Sequence, residues 1–381
     1  MRLALARQLM QADTSRRLPD VSLMGSEHRP TWKAVAVRAT PYVRVDAETL
    51  RSNIAAMQHF CDSRGLALRP HIKTHKSIEI ARLQLSEGAV GLSVATVGEA
   101  EVFADTVAER GADVLIAYPV AASAVRLGRL GARVRTIVGI DSREGIRRAA
   151  DAGVTVSIEV DSGLGRTGVR AEDARSLAEY AKSLGVTVTG VFTFPGHGYG
   201  MRSARRDAAS AEAAALRRAC DGLRAAGIKD PVASGGSTPT SAFVDADVVT
   251  ELRPGVYVFM DAGQLALGAA TPEQVALTVR TTVISNAVPN QVVLDAGAKV
   301  LGMDRPGFVA THGILPAYPG TRLARLWEHH AVVETPDGVD RPVLGEQVDV
   351  VPNHVCATVN LVDELIVGNE VWQVAARGHN A

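Results

Sequence analysis

The sequence predicts an α/β chain: a closed (β/α)8 TIM barrel followed by a compact β domain. Short apolar, β-branched runs alternate with amphipathic Ala/Arg/Leu stretches from Pro41 to about Asp261, and buried strands alternating with helices imply a parallel sheet. Gly153, Gly185 and Gly227 each fall between a helical stretch and the next apolar run, where a helix C-cap is expected. Past Gly263 the pattern changes to short strand-like pieces separated by turns, without a convincing long helix.

Residues 1–39 read as an extension, with Met24 as an alternative start and His28–Ala39 as a segment that adds a strand to the β domain. Tyr42–Asp46 reads as the first strand and Ala47 to about Ser63 as the first helix; Leu66–Lys73 is the second strand, with a helix from Ser77. Val90–Ala95, Val114–Tyr118, Val134–Gly139, Val154–Asp161, Val186–Phe194 and Pro231–Ala233 repeat the unit, and the series finishes near Val256–Asp261. About eight units over roughly 220 residues suit a closed barrel. Ala276–Asn286, Gln291–Asp295, Ala331–Glu334, Gln347–Pro352, Glu364–Val367 and Val371–Ala375 then argue for a β domain, packed on the barrel. The expected domains are an extension over 1–39, a barrel over 40–263 and a β domain over 264–381.

Composition excludes several classes. The chain has 381 residues, 46% hydrophobic and 22% charged, the balance of a globular protein with a substantial core. Lys+Arg and Asp+Glu are both 41, so the formal net charge is zero. There is no basic footprint for nucleic acid or an acidic membrane. No apolar stretch approaches the ~18 residues of a membrane span. Cys61, Cys220 and Cys356 are spaced too widely for a disulfide framework, which favours the reducing cytoplasm.

The chemistry begins at Arg69-Pro70-His71-Ile72-Lys73-Thr74-His75-Lys76. Only six lysines stand against 35 arginines, and two of the six fall in this octapeptide. An arginine cannot replace a lysine where a deprotonatable amine is needed, as in Schiff-base chemistry. Codon bias that spared two lysines is the alternative. Lys73 closes a barrel strand at the end where catalytic groups collect. Asp161-Ser-Gly-Leu-Gly-Arg166 follows another strand end, and Arg166 either reaches inward to a cofactor or lies on the surface of a Gly-rich turn. Ser234-Gly235-Gly236-Ser237-Thr238 reads as a nest of N–H donors for a phosphate, or as an ordinary polar turn. His354 and Cys356, two apart in a strand, would point to one face. Imidazole with thiolate suits zinc, and the alternative is a buried cysteine beside a histidine that binds nothing.

Together these motifs resemble the fold-type III pyridoxal-phosphate enzymes that group D-serine dehydratase with D-threonine aldolase and hydroxyaspartate lyases. The resemblance runs from about Thr40 to Gly378. It rests on the Lys73 octapeptide, Asp161…Arg166-Thr-Gly, Ser-Gly235-Gly236-Ser237-Thr, Arg253-Pro-Gly-Val-Tyr257, Leu-Asp295-Ala-Gly-Ala-Lys299 and Pro-Asn-His354-Val-Cys356. It implies a barrel of alanine racemase type and pyridoxal 5'-phosphate (PLP) on the catalytic Lys73. It also implies Arg166 beside the cofactor, the Gly235–Ser237 loop and Tyr257 on the phosphate, and zinc or another divalent cation such as manganese on His354 and Cys356. A homodimer and a β-hydroxy D-amino acid substrate follow from the same likeness. Dehydratase-like members tend to carry His-x-Cys and aldolase-like members His-x-Asp, so dehydration is the expected branch, with retro-aldol cleavage, racemisation and simple PLP carriage as alternatives. Trp327-Glu328-His329-His330 stands where relatives often show Ser-Glu-Glu-His. Phe194 stands where they often carry Tyr or His, which leaves His197 or Tyr199 to supply the polar contact.

Overall fold

The computed structural model describes residues 38–381, so the strand expected over His28–Ala39 lies almost wholly outside the described residues. Ala39–Ala381 form one compact unit. Its barrel strands are β2 (Ala67–Leu68), β3 (Gly91–Val94), β4 (Asp113–Pro119), β5 (Arg135–Ile140), β6 (Thr155–Glu159), β7 (Val188–Phe192), β8 (Val232–Gly235) and β9 (Glu251–Leu252). They are ordered β2-β9-β8-β7-β6-β5-β4-β3, with every pair parallel. The remaining seam is closed by a bridge between His71 and Ser93 and by Val90 N–H donating to Leu68 O at 2.9 Å.

The expected strand at Tyr42 exists but is not a barrel strand. Strand β1 (Tyr42–Val45) runs antiparallel to β10 (Leu277–Ser285) and parallel to β16 (Glu364–Val367). Burial explains its placement. β1 alternates Val43 and Val45 inward with Arg44 outward, whereas β3 is buried at all four residues. Alternation belongs to a sheet with one wet face, continuous burial to a barrel covered on both sides. At the other end, Val256–Val258 is a 3-10 turn, so Glu251–Leu252 completes the eight strands. Strand β2 is also shorter than expected, because Ile72–Thr74 breaks into a 3-10 turn.

The second sheet has nine strands. Besides β1, β10 and β16 it contains β11 (Gln291–Leu294), β12 (Gly313–Ile314), β13 (Arg322–Leu326), β14 (Ala331–Glu334), β15 (Gln347–Pro352) and β17 (Glu370–Gln373). Strands β12 and β13 escape the sequence reading. β12 has only two residues, and β13 carries two arginines that blur its apolar pattern. The core between barrel and sheet joins Leu50, Ile54, Tyr257, Phe259, Leu277, Val350 and Val359. Arg69, just past β2, is buried and pairs with Glu251 (2.7 Å) and Asp113, the first residues of β9 and β4, and the exposed Arg135 joins Asp113 at 2.8 Å.

Candidate active site

At the carboxyl ends of the barrel strands lies a cavity of about 290 Å³, walled by His71, Lys73, Arg166, Phe194, Tyr199, Ser237, Arg253, Val256, His354 and Cys356. Lys73 is presented by the Ile72–Thr74 turn. Burial lowers its pKa, and the cations Arg166 and Arg253 add to the effect against the opposing pull of Cys356 and Glu99. Its Nζ sits 5.5 Å from the Phe194 ring centroid, and the Arg166 guanidinium lies 5.4 Å from the same ring. Phe194 is thus an aromatic wall with Lys73 and Arg166 beside it. Lys76 has another environment. It is buried, pairs with Glu99 at 3.5 Å and donates to Asn360 Oδ1 at 2.8 Å. Of the two lysines in the octapeptide, Lys73 alone offers an amine to the cavity.

The strand expected at His354 and Cys356 is interrupted. Strand β15 ends at Pro352, His354 caps the next helix, and Cys356 lies inside that helix, Val355–Asn360. The pair still lines one cavity wall because the chain turns sharply there. The Cys356 thiol approaches Thr74 Oγ1 at 3.2 Å. Burial raises the thiol pKa, but the His354 charge, a hydrogen bond from His354 and the Lys73 charge outweigh it and leave the thiol below its ordinary range. Reciprocally, Cys356 and then a hydrogen bond to Asp261 hold His354 well above the usual imidazole range. Asp261 is buried, lies 3.5 Å from His354 Nδ1 and accepts from Gln264 N–H (2.8 Å) and Val355 N–H (3.2 Å). Sequence reasoning missed it, although Asp261 before Ala262-Gly263-Gln264 carries the signal of a helix N-cap. Thiolate, imidazole and a carboxylate that orients the imidazole are a donor set that fits a zinc-like cation.

The phosphate end departs from expectation. Ser237 and Tyr199 line the cavity, but Gly235, Gly236 and Tyr257 do not. Gly236 N–H donates to Glu212 Oε1 (2.6 Å) and Ser237 N–H to Thr240 Oγ1 (3.0 Å), so the expected nest faces away from the cavity. The Tyr257 phenol is packed in the core, where it accepts from Gln84 Nε2 at 2.9 Å. The free donors are elsewhere: among the described residues, the N–H groups of Gly255 and Val256 have no partner, and both residues line the cavity. They open a 3-10 turn, where unsatisfied N–H groups favour an anion. Gly255 admits no side chain, since a Cβ would come 2.7 Å from Thr74 Oγ1. His71 Nδ1 and Arg253 Nε are buried without partners in the same cavity wall, polar edges that a heteroaromatic ring would satisfy. These features fit PLP. Of the two groups expected to replace a polar residue at 194, Tyr199 lines the cavity and His197 does not. Trp327–His330 line a separate surface cleft with Val293 and Val332.

A racemase-type barrel with a thiolate–imidazole pair at its mouth defines a class, and comparison with known proteins agrees. The alanine racemase N-terminal domain matches residues 45–263, and a serine dehydratase domain matches residues 276–368. The chain is 35% identical over 361 residues to the D-threo-3-hydroxyaspartate dehydratase of Delftia sp., covering 84% of this chain and 91% of that protein. It is 34% identical over 360 residues to an Arthrobacter D-threonine aldolase, covering 89% and 93%. The solved Delftia dehydratase superposes with a TM-score of 0.79 and 31% identity, over 88% of this chain and 97% of that one. A cysteine-to-alanine mutant of that enzyme has been solved in a metal-free form. The chain belongs to the fold-type III PLP family of D-amino acid dehydratases and aldolases. Among the described residues, no helix is long and apolar enough to cross a membrane.

Proposed function

We propose that this protein is a PLP- and divalent-metal-dependent lyase that dehydrates a β-hydroxy D-amino acid to a 2-oxo acid and ammonia, as a D-serine dehydratase does. The observation that carries the proposal is that Lys73, His354 and Cys356 line one cavity. Tyr199, Ser237 and the N–H groups of Gly255 and Val256 would hold the phosphate, with Arg166 beside the ring. When bound, PLP supplies an electron sink for the charge that develops at Cα, and the cation, zinc by its donor set, supplies a Lewis acid at the β-oxygen.

The chain's own groups do the rest. Lys73, whose pKa burial lowers, would attach the cofactor through its amine and take the α-proton. His354 and Cys356 would hold the cation, and Asp261, 3.5 Å from His354 Nδ1, would orient His354. In net terms the α-proton and the β-hydroxyl leave together as water, and the released enamine takes up water to give the 2-oxo acid and ammonia. The cysteine at the second metal position supports dehydration over retro-aldol cleavage. Family likeness supports a homodimer, and three free cysteines support a cytoplasmic protein.

Incubation with D-serine, D-threonine and D-3-hydroxyaspartate, scoring 2-oxo acid against glycine, tests the reaction. A D-isomer should yield 2-oxo acid, and L-serine none. Glycine as the main product would move the assignment to an aldolase.

A further inference from the structure

Helix Ala204–Ala225 packs an alanine-rich face on the barrel through Ala208, Ala209, Ala215 and Leu216, and in that face stands one carboxylate, Glu212, at 1% exposure. A buried carboxylate among methyl groups is costly unless a specific donor meets it. Its donor is the Gly236 N–H, at 2.6 Å. The approach is so close that a Cβ on Gly235 would lie 2.5 Å from Glu212 Oε1. Gly236 adopts φ +82°, the left-handed region that turns this N–H backward toward the helix. Burial raises the Glu212 pKa to about 7, with the Gly236 hydrogen bond acting against it. On the other side of the turn, Ser237 faces the cavity, held by Thr240 through both its N–H (3.0 Å) and its hydroxyl (2.9 Å).

We infer that Glu212 is a positioning residue for cofactor binding: it anchors the Gly235–Gly236 turn from behind so that Ser237 meets the phosphate. This rests on the reading that the cavity takes PLP. The turn contributes through its rigidity, and the unpaired N–H groups of the cavity wall are those of Gly255 and Val256. Glutamine at 212 keeps an acceptor oxygen at the same reach. Aspartate keeps the charge but is one methylene too short, and alanine removes the anchor.

The test uses the full chain stripped of cofactor and compares binding of PLP with binding of pyridoxal, which lacks the phosphate, followed by imine absorbance. Glu212→Ala and Glu212→Asp should weaken PLP by about 10–100-fold, and Glu212→Gln should stay within about threefold of wild type. Pyridoxal binding should change by less than about threefold in every variant, because the turn acts on the phosphate. If Glu212→Ala does not fold, Glu212→Asp carries the same comparison. Unchanged PLP affinity in the aspartate variant would overturn the inference, as would parallel loss of PLP and pyridoxal, the mark of a merely structural residue. Failure of wild type to bind either compound would overturn the cofactor reading itself.

Discussion

Lys73 and Lys76 are three positions apart and differ in every respect that matters for reactivity. Lys76, at φ +50°, spends its amine on Glu99 and Asn360, while Lys73 faces the cavity with its pKa lowered. Borohydride reduction of the PLP-loaded protein should therefore label the Lys73 peptide alone. Lys76→Met should leave that labelling intact but cost about 3–5 kcal/mol in a denaturation experiment, because Glu99 loses its buried partner. Label on Lys76 would contradict the first statement, and unchanged stability of Lys76→Met the second. The octapeptide was legible in the sequence because lysine is rare in this chain; the division of labour within it was not, since Glu99 and Asn360 reach Lys76 only through the fold. Asp261 was readable as a helix cap but not as the partner of His354, for the same reason.

At the scale of elements, pattern carried the reading where one period dominated and failed where a segment was too short to show any. The parallel strands announced themselves as apolar runs, yet Tyr42–Val45 was grouped with them although its alternating burial belongs to the second sheet. The three-residue turns at Ile72–Thr74 and Val256–Val258, which carry the lysine and the free N–H groups, look like strand continuations in sequence. Gly255→Ala tests the second turn. Its Cβ would press on Thr74 Oγ1 and on His71 O (2.8 Å), disturbing the lysine turn and the anion site together. PLP affinity should fall by at least about tenfold, a direct readout by absorbance titration. An affinity equal to wild type would remove Gly255 from the site.

The whole molecule should be sensitive to acid. His75 is buried and neutral, its Nδ1 accepting from Ser77 N–H (3.1 Å), and burial lowers its pKa to about 3. His71 is lowered in the same direction by burial and by the charges of Lys73, Arg253 and Arg166. The unfolded chain binds more protons than the folded one between the folded value and the ordinary 6.5, so stability is full above about pH 6.5 and is lost as pH falls below it. Glu212 acts the other way: its raised pKa, about 7, costs stability as pH rises from 4.5 through 7. Between pH 6.5 and 4 the melting temperature of His75→Gln should therefore fall less than that of wild type. An equal fall in both proteins would contradict a buried, neutral His75.

The central claim is that Lys73 chemistry and a cation on His354 and Cys356 act on one substrate in one cavity. Ammonia and 2-oxo acid release from a β-hydroxy D-amino acid, measured on the same PLP-loaded sample before chelation, after it and after zinc is returned, tests that claim most directly. Turnover should collapse on chelation and recover with zinc. Cys356→Ala should bind PLP and melt near wild type but remain inactive with zinc added. Full turnover in enzyme shown by metal analysis to be empty would contradict it.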